Sequence, residues 1–82
     1  MPYIKDKEDR KILDAYVEEF IEMLIVPGYL NYFLYKLAKR TCKNYKSWRN
    51  FIGELEACKL EIYRRQTAPY EDIKIEENGD VE

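Results

Sequence analysis

Apolar residues recur in pairs four apart near the start of the chain, and this spacing most constrains the fold. Four such pairs lie between residues 12 and 25. A repeat close to 3.6 residues places a continuous apolar stripe on one side of an α-helix, whereas a half-buried strand needs strict alternation. The stripe consists of Ile12, Leu13, Tyr16, Val17, Phe20, Ile21, Leu24 and Ile25.

Helix-start and helix-stop residues bracket this stripe. Asp6 is suited to an N-cap, and the acids that follow it suit the first turn, so the first helix is predicted from about Lys7 to Ile25. Pro27-Gly28 ends it, since proline disfavours helical geometry in the residue before it. The second helix is predicted from about Tyr29 to Cys42 or Lys43, folded back against the first.

A third helix is predicted from Ser47 or Asn50, either of which suits the N-cap, to about Thr67, with Pro69 as its stop. The remaining residues, 69–82, read as an acidic, extended tail packed on the helices. The predicted fold is therefore all-α, an up-down-up bundle of three helices. Its predicted division is a helical domain, 1–68, and an acidic C-terminal tail, 69–82.

The core of this bundle is predicted between the first two helices. Because a chain of 82 residues buries only roughly 60–65% of the surface that its unfolded form exposes, a lone monomer is marginal, and a homo-oligomer is expected to supply the missing burial. We expect Tyr16, Tyr35 and Tyr63 to complete the core. The predicted interface joins Leu13, Val17, Phe20, Ile21 and Leu24 to Leu30, Phe33, Leu34 and Leu37.

The composition argues against enzymatic chemistry and against a metal site. The chain has no histidine and a single serine, so the common general base and the serine and cysteine triads are missing. Its two cysteines, Cys42 and Cys58, are too few for a zinc site and are expected to be free thiols. We predict a cytoplasmic protein that is not an enzyme, needs no cofactor and does not engage a membrane.

Positive and negative charges are segregated along the chain. Residues 36–65 carry a net charge of +6, between a first segment of −3 and a last segment of −5, for a total of −2. Rings are concentrated in the same basic centre. Bases beside rings suit a small anionic ligand, whereas the acidic flanks and the pI of 5.3 oppose binding to duplex nucleic acid.

Two sets of residues form the predicted ligand site. The rings would stack on a nucleobase, for roughly 1–3 kcal/mol each, and the cations would neutralise phosphate. Arg64 and Arg65 have alternative roles, either complementing the helix dipole or pairing with Glu71 or Asp72 to hold the tail. The predicted site comprises Tyr29, Tyr32, Tyr45, Trp48, Lys36, Lys39, Arg40, Arg64 and Arg65.

Several strings carry a resemblance. With MPYI at the start, PGYLNY in the first turn and YRR, APYED and ENGDV toward the end, the chain resembles a family of small uncharacterised proteins found in phages and prokaryotes. The resemblance implies no established activity. It implies a family hallmark formed by Tyr63, Arg64, Arg65, Pro69, Tyr70, Glu71, Asp72, Asn78, Gly79 and Asp80.

In size and style the chain also looks like the helical nucleotide-sequestering proteins that phages use against host immune signalling, although no motif maps residue by residue. Two functions follow as hypotheses. The first is an anti-defence binder that sequesters an anionic, cyclic nucleotide signal. The alternative is a small helical module for protein–protein interaction or oligomerisation, in which the same rings pack against a partner chain.

Overall fold

The computed structural model describes residues 4–81, and within this range the secondary structure is helical, with no β-strand. Helix α1 spans Lys7–Leu24, α2 spans Tyr29–Thr41 and α3 spans Tyr45–Ile62. A π-helical segment, Tyr63–Thr67, follows α3 and leads into α4, Ala68–Asn78. The predicted all-α class is confirmed.

The described chain divides into two compact units, residues 4–51 and residues 52–81. The first contains α1, α2 and the start of α3, and the second contains the rest of α3, the π-helical segment and α4. The up-down-up bundle, the homo-oligomer and the division at residue 68 stay predictions.

The predicted cap of the first helix is confirmed. The Asp6 carboxylate accepts hydrogen bonds from the amides of Glu8, at 2.8 Å, and Asp9, at 3.3 Å. These amides have no partner within the helix, so the side chain satisfies donors that the first turn leaves open. Helix α1 ends at Leu24, one residue before the predicted end.

The turn between α1 and α2 depends on glycine. Gly28 has a φ of 88°, in the left-handed region that residues with a Cβ atom rarely adopt. The Tyr29 amide donates to the Val26 carbonyl oxygen across this turn, at 3.0 Å. The chain therefore reverses within a few residues, and α2 returns beside α1.

The contact between α1 and α2 is centred on rings. The ring centroids of Phe20 and Phe33 are 6.0 Å apart at an interplanar angle of 44°, and Tyr16 stacks on Phe20 at 6.5 Å. The predicted pairing of Phe20 with Phe33 is confirmed. The same interface was predicted to cover Val17, and this is wrong for the single chain, because Val17 is 57% exposed.

Helix α3 begins earlier than predicted, because Asn44 and Ser47 cap it together. The Asn44 Oδ1 atom accepts from the Ser47 amide at 2.9 Å, and Ser47 Oγ accepts from the Asn44 amide at 3.0 Å. This reciprocal pair is a capping box, in which the residue before the helix and the third helical residue satisfy each other's amides. Ser47 is therefore the inner member of the box, and Asn50 lies inside the helix.

The C-terminal segment is helical, so the predicted stop at Pro69 and the extended tail are both wrong. Proline in an α-helix lacks the amide donor, and its ring collides with the carbonyl group four residues earlier. Here the turns before Pro69 are π-helical, with the Ala68 amide donating to the Tyr63 carbonyl oxygen. This wider turn accommodates the ring, so the helix continues through Pro69 to Asn78.

Candidate functional site

An open cavity of about 650 Å³ lies at the α1–α2 turn, and we call it the turn cavity. It contains three of the residues predicted to bind a ligand, Tyr29, Tyr32 and Lys36. The Lys36 Nζ atom lies 5.6 Å from the centroid of the Tyr32 ring, within the range of a cation–π contact. The full lining is Met23, Leu24, Pro27, Gly28, Tyr29, Tyr32, Phe33 and Lys36.

The turn cavity is apolar apart from one cation. Lys36 is the only charged residue in its lining, whose other members are aliphatic, aromatic or glycine. One ammonium group suits a single negative charge on a largely apolar body, and it falls short of the several cations that a polyphosphate requires.

Lys39 and Arg40, also predicted to bind a ligand, lie in the last turn of α2 and outside the turn cavity. Cations in the last turn complement the partial negative charge at a helix C-terminus, so this position explains them without a ligand. Both side chains are exposed.

Tyr45 and Trp48 lie in the first turn of α3, next to the capping box. The Tyr45 ring is exposed, and the guanidinium carbon of Arg49 lies 5.9 Å from its centroid. Trp48 is half-buried. Neither residue lines the turn cavity.

Arg64 and Arg65 converge on Glu61, which is not among the partners predicted for them. Both guanidinium groups donate to the same oxygen, Oε1, and the Arg65 Nε atom lies 2.5 Å from it. The Glu61 side chain is 14% exposed, so the two arginines cover it. The spacings of three and four residues along a helix were visible in the sequence and could have indicated these pairs.

The Glu71 carboxylate raises the pKa of Tyr63 above its ordinary value of 10.0, first through hydrogen bonding to the hydroxyl and then through its negative charge. Burial and the charge of Asp72 act in the same direction. A carboxylate beside the hydroxyl opposes formation of a second anion there.

A second open cavity, of about 670 Å³, runs along α1, and we call it the α1 groove. Only Leu30 and Phe33 of its lining come from α2, and no lining residue is charged. The sequence predicts most of these residues in the core and none of them in a site. The lining is Leu13, Tyr16, Val17, Phe20, Ile21, Leu24, Ile25, Leu30 and Phe33.

Burial in the described chain is slight, which gives the α1 groove its importance. Ala38, 5% exposed, is the only buried residue between positions 4 and 81. Large apolar side chains throughout α1 and α2 remain partly exposed to water. A monomeric protein rarely leaves a contiguous apolar patch of this kind uncovered, and such patches mark interaction surfaces.

The acids in the second half of α1 and the bases of residues 36–49 form no ion pair within the described part of the chain. Among residues 4–81, no ion pair forms to Asp14, Glu18, Glu19 or Glu22, the acids of the second half of α1. Residues 36–49, the basic stretch, contain six lysines and arginines without an acid. None of these six forms an ion pair with a residue that the structure describes. Acidic and basic surfaces are thus both available to another molecule.

The described residues give little support to a metal site or to a membrane-spanning helix. No cluster of three or more potential metal ligands occurs between positions 4 and 81. In the same part of the chain, no helix has the length and apolar character needed to cross a membrane. Both cysteines are free, and the Cys42 thiol donates to the Ser47 carbonyl oxygen at 3.5 Å.

A family described as "Domain of unknown function (DUF6899)" matches residues 1–81. The chain belongs to this family. The predicted membership of an uncharacterised family is therefore confirmed, whereas the likeness to phage proteins stays a prediction. Neither the curated proteins nor the solved structures contain a match to this chain.

Proposed function

We propose that this DUF6899 member is a non-enzymatic protein-interaction module, which completes its core by covering the α1 groove with another helical surface. The observation that carries the proposal is the contrast between one buried residue and a continuous apolar groove. Each large aliphatic or aromatic side chain gains roughly 1.5–3 kcal/mol when it is fully buried. Several such side chains line the groove, so covering it provides a substantial driving force for association.

The size of the chain supports the same function. A domain of 82 residues that folds alone is marginally stable even when its core is well packed, and here the core is nearly absent. Association with another chain supplies the missing burial and therefore couples folding to binding.

A pair of substitutions in α1 tests this function. Val17 lines the α1 groove and is 57% exposed, whereas Ile12 lies outside the groove on the same helix and is 54% exposed. Replacing each with glutamate, Val17→Glu and Ile12→Glu, introduces the same charge at matched exposure. We expect Val17→Glu to lower the stability of the associated protein by about 2 kcal/mol or more, and Ile12→Glu to change it by about 0.5 kcal/mol or less.

Two measurements read this test. Urea unfolding at several protein concentrations reports whether another chain stabilises the fold, and an apolar fluorescent dye reports whether the dilute chain presents an open groove. Sensitivity of either readout to Val17→Glu but not to Ile12→Glu supports the function. Unfolding that is independent of protein concentration, together with no dye binding, would show that the chain covers the groove itself and would refute it.

A second candidate function is binding of a small anionic molecule that carries a ring, including a cyclic nucleotide of the kind that phage anti-defence proteins sequester. The observation that favours it is the presence of Tyr29, Tyr32 and Lys36 around one cavity. The engagement of Arg64 and Arg65 with Glu61, and the position of Lys39 and Arg40 outside the cavity, weigh against a ligand with several phosphates.

Thermal melts with a panel of linear and cyclic nucleotides test this candidate. A ligand present at 100 times its dissociation constant stabilises the fold by about 2.7 kcal/mol. Lys36→Gln is expected to remove the stabilisation, whereas Lys39→Gln, a lysine outside the cavity, should leave it unchanged. The absence of a shift with every nucleotide would exclude this candidate.

A further inference from the structure

The α1 groove and the basic stretch have complementary surfaces within one chain. The groove is apolar and is carried by a helix whose polar residues after Lys11 are all acidic. What covers it should therefore be an apolar and basic helical surface. The basic stretch, residues 36–49, combines six cations with rings and leucine and contains no acid. It consists of the end of α2 and the start of α3, joined by residues 42–44, which are not helical.

Within one folded chain, the acids of α1 and the bases of α2 do not pair with each other in the described residues. Helices α1 and α2 are neighbours through Phe20 and Phe33, yet no ion pair joins the acids of α1 to the bases of α2 in the described residues. Lys36 and Arg49 contact the rings of Tyr32 and Tyr45 instead. Both charged surfaces are therefore available to a second molecule.

Resting on the proposed function, we infer that the occupant of the α1 groove is a second copy of this chain. In the dimer, α1 of each copy lies against the basic stretch of the other. A two-fold axis makes the contact reciprocal, so one surface that carries an acidic and a basic part is sufficient for both copies. In a two-fold arrangement that places α1 against α1, parallel helices oppose acid to acid, which is unfavourable. Antiparallel helices offer the acids of α1 only three cations, which lie among Glu8 and Asp9, whereas the basic stretch offers six cations and no acid.

Two charge-reversed variants test this arrangement. The acid variant carries Asp14→Lys and Glu18→Lys, and the base variant carries Lys36→Glu and Arg40→Glu. None of these residues lines the α1 groove, and lysine and glutamate have similar helix propensities, so both variants should keep their helices, as circular dichroism can check. In each variant alone, like charges face each other at both contacts of the dimer.

Light scattering and sedimentation equilibrium of the full-length chain provide the readout. We expect the wild-type chain to form dimers, and each variant alone to show a dissociation constant raised by about tenfold or more. An equimolar mixture of the two variants should recover the wild-type dissociation constant, because opposite charges then meet at both contacts. Self-association of the acid and base variants at wild-type strength would overturn the arrangement.

The failure of this inference can be told from the failure of the proposed function. A wild-type chain that stays monomeric at every concentration, but binds the apolar dye through Val17, would refute the second copy and leave the interaction module standing. A chain that stays monomeric and binds no dye would refute both. Dimers that are unaffected by charge reversal but are lost in Val17→Glu would refute the placement of α1 against the basic stretch.

Discussion

Glu61 forms ion pairs with two arginines. Because Arg64 and Arg65 both donate to its Oε1 atom, removal of its charge leaves two neighbouring guanidinium groups without the shared anion that offsets their mutual repulsion. Its low exposure makes the contact less screened by water than an ordinary surface pair. Glu56, on the same helix, pairs with Lys59 at 3.2 Å but is 55% exposed, and it provides the comparison.

We predict that Glu61→Gln lowers the free energy of unfolding by about 1 kcal/mol, whereas Glu56→Gln lowers it by about 0.5 kcal/mol or less. Because the chemical change is the same in both variants, the difference between the two losses reports the effect of burial on the ion pair. Urea unfolding of both variants measures them, and equal losses would contradict the prediction.

Tyr63 makes stability depend on pH in the alkaline range. The carboxylate of Glu71 raises the pKa of Tyr63 in the folded chain above 10.0, so the folded state holds the phenolic proton more tightly than the unfolded state does. This contribution is fully present below the unfolded pKa and is lost as pH rises through the folded pKa.

The predicted result is a free energy of unfolding that falls more steeply in the wild-type chain than in Tyr63→Phe between about pH 9 and pH 11. Phenylalanine has no proton to lose, so the comparison isolates the contribution of this one hydroxyl. Unfolding by urea at several pH values measures the difference. Parallel curves for the two proteins would show that Tyr63 does not contribute.

At the scale of elements, the start of α3 shows how side chains decide where a helix begins. Asn44 and Ser47 satisfy each other's amides, and Ser47 Oγ also accepts from the Lys43 amide at 2.9 Å. The helix consequently begins at Tyr45, although both Ser47 and Asn50 carry the chemistry of a cap.

Asn44→Ala is expected to destabilise the chain by about 1 kcal/mol, the usual effect of losing an N-cap. Asn50→Ala, inside the helix, should be neutral or slightly stabilising, because alanine has the higher helix propensity. Chemical unfolding measures both. A larger loss of stability from Asn50→Ala than from Asn44→Ala would show that Asn50 is the cap and would contradict the prediction.

At the scale of the molecule, an apolar groove on a nearly coreless unit ties stability to association. If a second chain covers the groove, the melting temperature should fall when the protein is diluted, because mass action then favours the separated chains. We expect a lower midpoint by circular dichroism after about tenfold dilution. Ile12→Glu should show the same dependence on concentration. A wild-type midpoint that does not change with concentration would contradict the prediction.

Much of the architecture could be predicted from the sequence. The pairs of apolar residues in α1, the cap at Asp6 and the turn at Gly28 are local patterns, and local backbone preferences act before any packing. The error at Pro69 arose because a proline usually stops a helix, whereas a π-helical turn, set by several residues together, can accommodate its ring.

The candidate site was harder to predict than the helices. Tyr29, Tyr32 and Lys36 surround one cavity because they share a helix, and this spacing could be read directly. Lys39, Arg40, Tyr45 and Trp48 do not line it, since charge and ring content alone do not say which side chains meet. The pairing of Arg64 and Arg65 with Glu61 depended on which nearby acid their side chains reached.

By itself, the sequence determined that this protein is helical, where α1 and α2 begin and, to within two residues, where they end, because helical periodicity and capping act between neighbours along the chain. Only the tertiary structure decided that the apolar stripe of α1 forms an open groove instead of a closed core. Burial depends on which surfaces meet in space, and one chain does not bring enough of them together to cover Val17.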